Sequence, residues 1–201
     1  PGQLGRGNAY GCDDDDFRLN VRANLMWIWP DRRDDFGNWA KTHIKDDKDA
    51  MRRSGMFYRR RDFGRYVASR VDAVLAGADK QNNTIIHYPQ IVTKLGRMDQ
   101  GGWQAECSDG RLIKADLVLL ATGNPPPQWP CPIQCEKAQL PELENRLVQN
   151  PWDGQWLDHL PAQSRLAIIG GGLTALDAVT ALARRDHQGS VFLLAPHGSL
   201  P

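Results

Sequence analysis

The chain has 201 residues and a formal net charge of +1, with 41% hydrophobic and 24% charged residues. This composition is typical of a soluble globular protein, and so small a charge provides no broad electrostatic attraction to nucleic acid or to an anionic membrane. No apolar run approaches the roughly 20 residues that span a bilayer and no secretory signal opens the sequence, so we expect a cytoplasmic protein with no nucleic-acid or membrane partner.

The N-terminal third of the sequence combines charged runs with two predicted helices. The four acids at positions 13–16 and the arginines at 59–61 predict solvated surface. Asp34 and Asp35 suit the start of a helix, and apolar residues follow them at helical spacing: Phe36, Trp39, Ala40 and Ile44. A second helix is predicted over residues 63–78 from one stripe with a period of about 3.6 residues: Phe63, Val67, Val71, Val74 and Leu75.

Short apolar runs then predict a small antiparallel meander. The runs lie at residues 84–87, 91–95 and 103–106, with turn residues at 99–102 and 109–110. A longer run at 115–121 continues into Thr122 and Gly123. It predicts a strand buried on both faces, as in parallel sheets. Ligands bind at the carboxyl edge of such sheets, although a buried strand with a glycine turn and no ligand is an equal alternative.

Prolines at 125–127, 130 and 132 break regular structure and predict a boundary. Residues 131–164 are predicted to be a connector with a short helix over 141–148. Within it, Trp152 is predicted to pack at a domain junction, with contact to a substrate as the alternative.

The four cysteines do not form a recognisable redox or metal site. Only Cys131 and Cys135 are close in sequence, since Cys12 and Cys107 lie far apart. Their C-x-x-x-C spacing matches neither a C-x-x-C redox pair nor a zinc site. We therefore expect reduced thiols without a catalytic role, and no metal.

The strongest motif lies at residues 165–184. A short apolar run, 166–169, predicts a buried parallel strand, and Gly170, Gly172 and Ala175 follow it with the spacing G-x-G-x-x-A. A helix over 173–182 and a second strand over 190–194 complete the unit. Gly170 permits a tight turn, Gly172 lets the backbone approach a phosphate, and Ala175 allows helix and strand to pack closely. The helix start attracts an anion. The motif predicts a dinucleotide site; a glycine turn that serves packing only is the alternative.

The order of meander, Ala-Thr-Gly segment, connector and G-x-G-x-x-A resembles flavoproteins with two dinucleotide-binding domains. More narrowly, the chain is similar to a bacterial family of FAD/NAD(P)-binding proteins that includes an FAD-dependent urate hydroxylase, and more distantly to flavin N-hydroxylating monooxygenases. The matching segments are residues 5–11, 18–21, 36–39, 61–66, 121–124, 150–152 and 168–177. The sequence departs from the family at Arg22, where a proline is usual, and at Trp27.

The resemblance implies an α/β, Rossmann-like FAD/NAD(P)-binding fold with a small antiparallel meander. It implies that FAD is lined by residues from three segments: Gly7, Ala9, Tyr10, Asn20, Val21, Thr122 and Gly123. NAD(P)H would be held by the turn: Gly170, Gly171, Gly172, Leu173, Thr174 and Ala175. For Asn20, capping of a turn is the structural alternative. The strand–turn–helix that grips the FAD pyrophosphate would precede Pro1, so we expect a fragment of a longer flavoprotein.

On this basis residues 1–130 are predicted to be a partial FAD-binding domain, 131–164 a connector and 165–201 the start of an NAD(P)-binding unit. The expected function is an FAD-dependent oxidoreductase reduced by NAD(P)H, with hydroxylation of a small organic substrate as the first hypothesis. A nucleotide-binding sensor and a single-cofactor NAD(P) dehydrogenase are the alternatives. Neither the catalytic residues nor the oligomeric state follow from the sequence.

The segment after the second strand bears on the choice of nicotinamide cofactor. It lacks the Asp or Glu that accepts hydrogen bonds from the NAD ribose. His197, or Arg184 with Arg185, would instead approach a 2′-phosphate. We expect a mild preference for NADPH.

Overall fold

A computed structural model describes residues 4–78, 83–123, 125, 127–134, 146–196 and 198. The α/β fold divides into two compact units, one formed by Ala73–Pro125 and the other by Gly2–Asp72 with Pro126–Pro201. The predicted boundaries near residues 130 and 164 separate segments expected to bind different cofactors. The compact units are defined by contacts within the chain and do not test cofactor binding, so these boundaries stay predictions.

The N-terminal part of the chain contains three helices and a small hairpin. Helix α1 is Gly7–Gly11, α2 is Asp35–His43 and α3 is Arg60–Ala78. Strands β1, Met51–Arg52, and β2, Gly55–Met56, pair antiparallel. Both predicted helices are confirmed, although α3 begins three residues earlier than the apolar stripe indicated and its Val74 is exposed.

Aromatic side chains form the first core cluster. The ring of Phe36 is fully buried, and its centroid lies 5.6 Å from that of Tyr58, 5.0 Å from Phe63 and 5.2 Å from Tyr66. Aromatic pairs at these separations add to the stabilisation that comes from burial alone. The hydroxyl of Tyr66 donates a 2.7 Å hydrogen bond to Asp35, so the first turn of α2 is joined to α3.

The predicted meander is present, but with one strand exchanged. Strands β3, Val92–Arg97, β4, Trp103–Cys107, and β5, Leu112–Ala115, form an antiparallel sheet in that order. The predicted strand at 84–87 is wrong, and Ile85 and Ile86 are exposed there. A four-residue connection joins β4 to β5.

The prediction of a strand buried on both faces at 115–121 is also wrong. Leu117, Leu119 and Leu120 are 83%, 87% and 74% exposed, and residues 116–123 have no regular secondary structure. An apolar run becomes a central strand only when neighbouring strands bond to both of its edges and other elements cover its faces. None of the described strands pairs with this segment.

The C-terminal part contains the predicted strand–turn–helix–strand. Strand β6 is Leu166–Ile169, helix α4 is Leu173–Arg184 and strand β7 is Val191–Leu194. The two strands are parallel, with Leu166 opposite Val191 and Ile169 opposite Leu194. The expected burial of β6 is wrong on one face, because Ile169 and its neighbours Phe192 and Leu194 are more than half exposed. The described sheet has only two strands, and α4 covers its other face.

A second core cluster joins α4 to the N-terminal segment. It consists of Cys12, Phe17, Leu157, Ala181 and Leu182, against which Leu166 and Val191 pack. Ala175 and Ala178 are also buried, so α4 turns a row of alanines inward. The predicted helix at 141–148 falls largely outside the described residues, as do Cys135 and His197. Among the described helices, none has the length and apolarity needed to cross a membrane.

Candidate functional site

The glycine turn after β6 has the backbone geometry that the motif predicted. Gly170 adopts φ +117°, a conformation that favours glycine, and its amide donates a 2.9 Å hydrogen bond to the carbonyl of Leu194. Gly172 is extended and immediately precedes α4. Among the residues that the structure describes, none has a heavy atom within 4 Å of a Cβ added at either glycine. The described part of the chain therefore leaves the space in front of this backbone open.

The start of α4 presents the amides of Leu173 and Thr174 to this open space. No described side chain caps the helix, and the first N–H groups of a helix have no i−4 acceptor, although the Ala175 amide donates a 2.9 Å hydrogen bond to the Gly172 carbonyl. The helix dipole adds about half a positive charge at the same end. Leu173 is 48% exposed beside the turn, Gly171 is half-buried, and Ala175 is buried against the fold. The bare backbone and the free amides together fit the pyrophosphate of a dinucleotide.

Trp152 joins the connector to this turn. It lies in the 3₁₀ helix Pro151–Asp153, whose cap is the side chain of Asn150 accepting a 3.2 Å hydrogen bond from the Trp152 amide. The indole Nε1 of Trp152 donates a 3.4 Å hydrogen bond to Oγ1 of Thr174. The side chain of Trp152 therefore contacts the first turn of α4, which directly follows the candidate nucleotide turn.

A cleft of ≈ 610 Å³ lies between the N-terminal segment and the connector. Its volume is within the roughly 300–1,000 Å³ range of small-molecule sites. The lining residues are Gly7, Asn8, Gly11, Cys12, Asp13, Asp14, Asn150, Trp152, Gly154, Gln155 and Asp158. Trp152 belongs both to this cleft and to the surroundings of the turn, so the two are adjacent.

The first group of predicted FAD residues lies in or near α1. Gly7 adopts φ +55° and lines the cleft. Ala9 is exposed, whereas the ring of Tyr10 packs edge-on against Phe63 with centroids 4.9 Å apart. The ring of Tyr10 therefore serves the aromatic core. Contact of these residues with flavin stays a prediction.

The remaining predicted FAD residues fall in different compact units. Asn20 and Val21 are exposed, and Oδ1 of Asn20 accepts a 3.3 Å hydrogen bond from Arg60. Thr122 and Gly123 belong to the other unit, where both are exposed and Gly123 adopts φ +70°. The flavin-lining role of all four residues stays a prediction.

Two arginines expected on a solvated face are buried instead. Arg59 and Arg60 are only 6% and 9% exposed. The guanidinium of Arg59 pairs with Asp46 and lies near Asp47, whose side chain is 1% exposed. Such depth is tolerated because each charge has a carboxylate partner. The run of three arginines predicted an exposed surface because the acidic partners of Arg59 and Arg60 are distant along the chain.

Arg60 binds three groups from two distant parts of the sequence. Its Nε donates to the carbonyl of Arg18 at 2.9 Å, and Nη2 donates to Oδ1 of Asn20 at 3.3 Å and to Oδ2 of Asp177 at 2.5 Å. Burial raises the pKa of Asp177 above its ordinary value of 3.8, although Arg60 lowers it. The sequence did not predict this pair. Its one signal was Asp177 itself, an acid among the apolar residues at the start of the helix predicted over 173–182.

The acids at 13–16 form a loop that is solvated in part, because the side chains of Asp13 and Asp15 are 78% and 53% exposed whereas those of Asp14 and Asp16 are 13% and 15% exposed. They form, with arginines, a group of ion pairs that we term the acid–arginine cluster: Arg6–Asp13, Arg61–Asp15, Arg184–Asp16, Arg185–Asp14 and Arg185–Asp16. The cluster ties the N-terminal segment to the C-terminal end of α4.

The acid–arginine cluster also corrects the expected role of Arg184 and Arg185. Helix α4 has 12 residues, so about 18 Å separates its ends. The nucleotide turn and the end of β7 lie at the other end of α4. These two arginines are therefore wrongly placed to bind a 2′-phosphate there.

Comparison with known proteins is consistent with this geometry. A family model described as FAD-NAD(P)-binding matches residues 1–125. The structure is similar to that of the ornithine hydroxylase PvdA from Pseudomonas aeruginosa, with 17% identity and a TM-score of 0.50. The match covers 95% of this chain but 46% of that one. This likeness shows a shared fold. No curated protein matches the sequence.

Proposed function

The chain belongs to the FAD-NAD(P)-binding family, and from that premise we propose that it serves in an FAD-dependent oxidoreductase whose flavin is reduced by NAD(P)H. The observation that carries the proposal is the bare turn from Gly170 to Gly172 in front of α4. Its positive φ, its open space and its unpaired amides all suit a dinucleotide pyrophosphate.

The residues of the turn act by binding and orienting. Gly170 and Gly172 leave the backbone uncovered, so that a phosphate approaches the amides at the start of α4 directly. Buried Ala175 keeps the helix close to the strands, which fixes the direction of those amides. When both cofactors are bound, NAD(P)H supplies a hydride and FAD accepts it.

We propose hydroxylation of a small organic substrate as the overall reaction. Two observations support this: the resemblance to flavin-dependent hydroxylases and the fold shared with a protein named as an ornithine hydroxylase. Fold likeness alone does not assign chemistry. The cleft beside Trp152 has room for a small molecule.

The absorption spectrum of the full-length protein tests the cofactor assignment. Flavin bands that bleach when NADPH is added under anaerobic conditions support the proposed oxidoreductase. Flavin bands that persist would favour a sensor without turnover, and a protein that binds nucleotide but no flavin would favour a single-cofactor dehydrogenase.

The variant Gly172→Val tests the turn itself. A branched side chain would fill the space now open in front of the backbone, so we expect reduction by NAD(P)H to be lost while FAD stays bound. Gly96→Val is the matched control, because a Cβ there also meets nothing within 4 Å and the residue lies in β3. Normal reduction in Gly172→Val would show that the turn does not hold the nucleotide.

A further inference from the structure

We propose that Arg60 and Asp177 are positioning residues, which hold the helix of the nucleotide turn in a set orientation against residues 18–20. The proposal rests on the proposed function, because residues 18–21 include the predicted flavin residues Asn20 and Val21. It assigns to the pair the task of aligning hydride donor and acceptor, and not that of binding either cofactor.

The position of the pair supports this role. Asp177 lies in the second turn of α4, close after the amides that face the nucleotide, and Arg60 lies at the first position of α3. Arg60 bonds simultaneously to the carbonyl of Arg18, to Asn20 and to Asp177. One guanidinium therefore connects the segment predicted to line flavin with the helix predicted to bind NAD(P)H.

The pair lies in a largely buried environment. The side chains of Arg60 and Asp177 are 11% and 13% exposed, so water competes little for their hydrogen bonds. The planar guanidinium has donors at fixed angles, which makes it a directional contact. Arg60 is held at one end by its bonds to Arg18 and Asn20, so a displacement of α4 would break its single bond to Asp177.

Stability does not account for the pair. Burial raises the pKa of Asp177 in spite of the adjacent guanidinium, which means that desolvation outweighs the attraction. Buried ion pairs of this kind are often replaced by apolar residues without loss of stability, and fixing register is their best-attested use. The pair therefore specifies an arrangement at little or no gain in stability.

The decisive variant is Asp177→Asn in the full-length protein. The amide has the same size, and Arg60 keeps its bonds to Arg18 and Asn20, so the chain should fold. Hydrogen exchange without added nucleotide should rise about tenfold in residues 17–21 and 173–178. The limiting rate of flavin reduction should fall about tenfold or more, with the Kd values for FAD and NAD(P)H little changed.

Arg184→Gln is the matched control, because it removes an ion pair of the same helix at the far end. It should leave exchange in residues 173–178 and the reduction rate as in the wild type. The double variant Arg60→Met, Asp177→Leu removes both charges together. It should melt near the wild-type temperature yet retain the slow reduction, which a purely structural role does not predict.

Wild-type exchange in residues 17–21 of Asp177→Asn would overturn the proposal, and so would a wild-type reduction rate. If NAD(P)H fails to reduce the wild-type flavin, the proposed function fails, and the exchange experiment alone then decides whether the pair connects the two segments.

Discussion

The two ends of helix α4 are held by ion pairs whose arginines differ in exposure. Near the N-terminal end, the single pair Arg60–Asp177 is buried, and Arg60 also bonds to residues 18–20. At the C-terminal end, Arg184 and Arg185 are about one-third exposed, although their partners Asp14 and Asp16 are as covered as Asp177. Asp16 pairs with both arginines and Asp14 with Arg185. Water therefore reaches the arginines of the second set and weakens each of its pairs, whereas Arg60 is shielded.

Removal of the buried cation should have the largest effect on stability. In Arg60→Ala, the carboxylate of Asp177 stays buried without its partner, which costs about 3–5 kcal/mol in the free energy of unfolding. Urea denaturation measures this loss. A loss below about 1 kcal/mol, typical of exposed pairs, would make the two ends of α4 equivalent and break the comparison.

The pH dependence of stability should separate wild type from Asp177→Asn. The folded pKa of Asp177 is raised above 3.8, so the folded state holds a proton that the unfolded state has already released. As the pH rises from 3.8 through the folded pKa, wild type should lose free energy of unfolding relative to Asp177→Asn. Denaturation series at several pH values test this, and the opposite slope would show that attraction to Arg60 prevails over burial.

Loss of one pair in the acid–arginine cluster should have a small, salt-dependent effect. We expect Arg184→Gln to cost about 0.2–1 kcal/mol, because Asp16 keeps Arg185 as a partner. The cost should shrink in about 1 M salt, where the screening length falls to about 3 Å. A large cost that salt does not reduce would mean that the cluster behaves like the buried pair.

Cofactor choice should be insensitive to the C-terminal end of α4. We predict a mild preference for NADPH, measured as kcat/KM for flavin reduction in the full-length protein. The ratio of NADPH to NADH should be unchanged in the double variant Arg184→Gln, Arg185→Gln, since both arginines lie at the end of α4 away from the turn. An equal or better kcat/KM with NADH in wild type would overturn the preference, and a changed ratio in the variant would overturn the geometric correction.

Sequence analysis succeeded where structure is local. The unit from Leu166 to Leu194 matches within about two residues at each end, because its strand, turn and helix depend on neighbours in the sequence. It failed at 84–87 and 115–121, where an apolar run needs a partner strand from elsewhere. It also placed Arg59, Arg60, Asp14 and Asp16 in solvent, where only the neighbouring Asp13 and Asp15 are exposed, because ion pairing between distant residues leaves no periodic pattern.

The sequence by itself determined the bare turn after β6: an uncovered backbone at Gly170 and Gly172 is a property of those residues wherever the strand and helix form around them. Only the tertiary structure decided what surrounds that turn. Trp152 beside Thr174, Arg60 on Asp177 and the acids on Arg184 and Arg185 join residues 22 to 171 positions apart. Burial and charge pairing over such separations arise only when the chain packs, since each partner alone is an ordinary polar or aromatic residue.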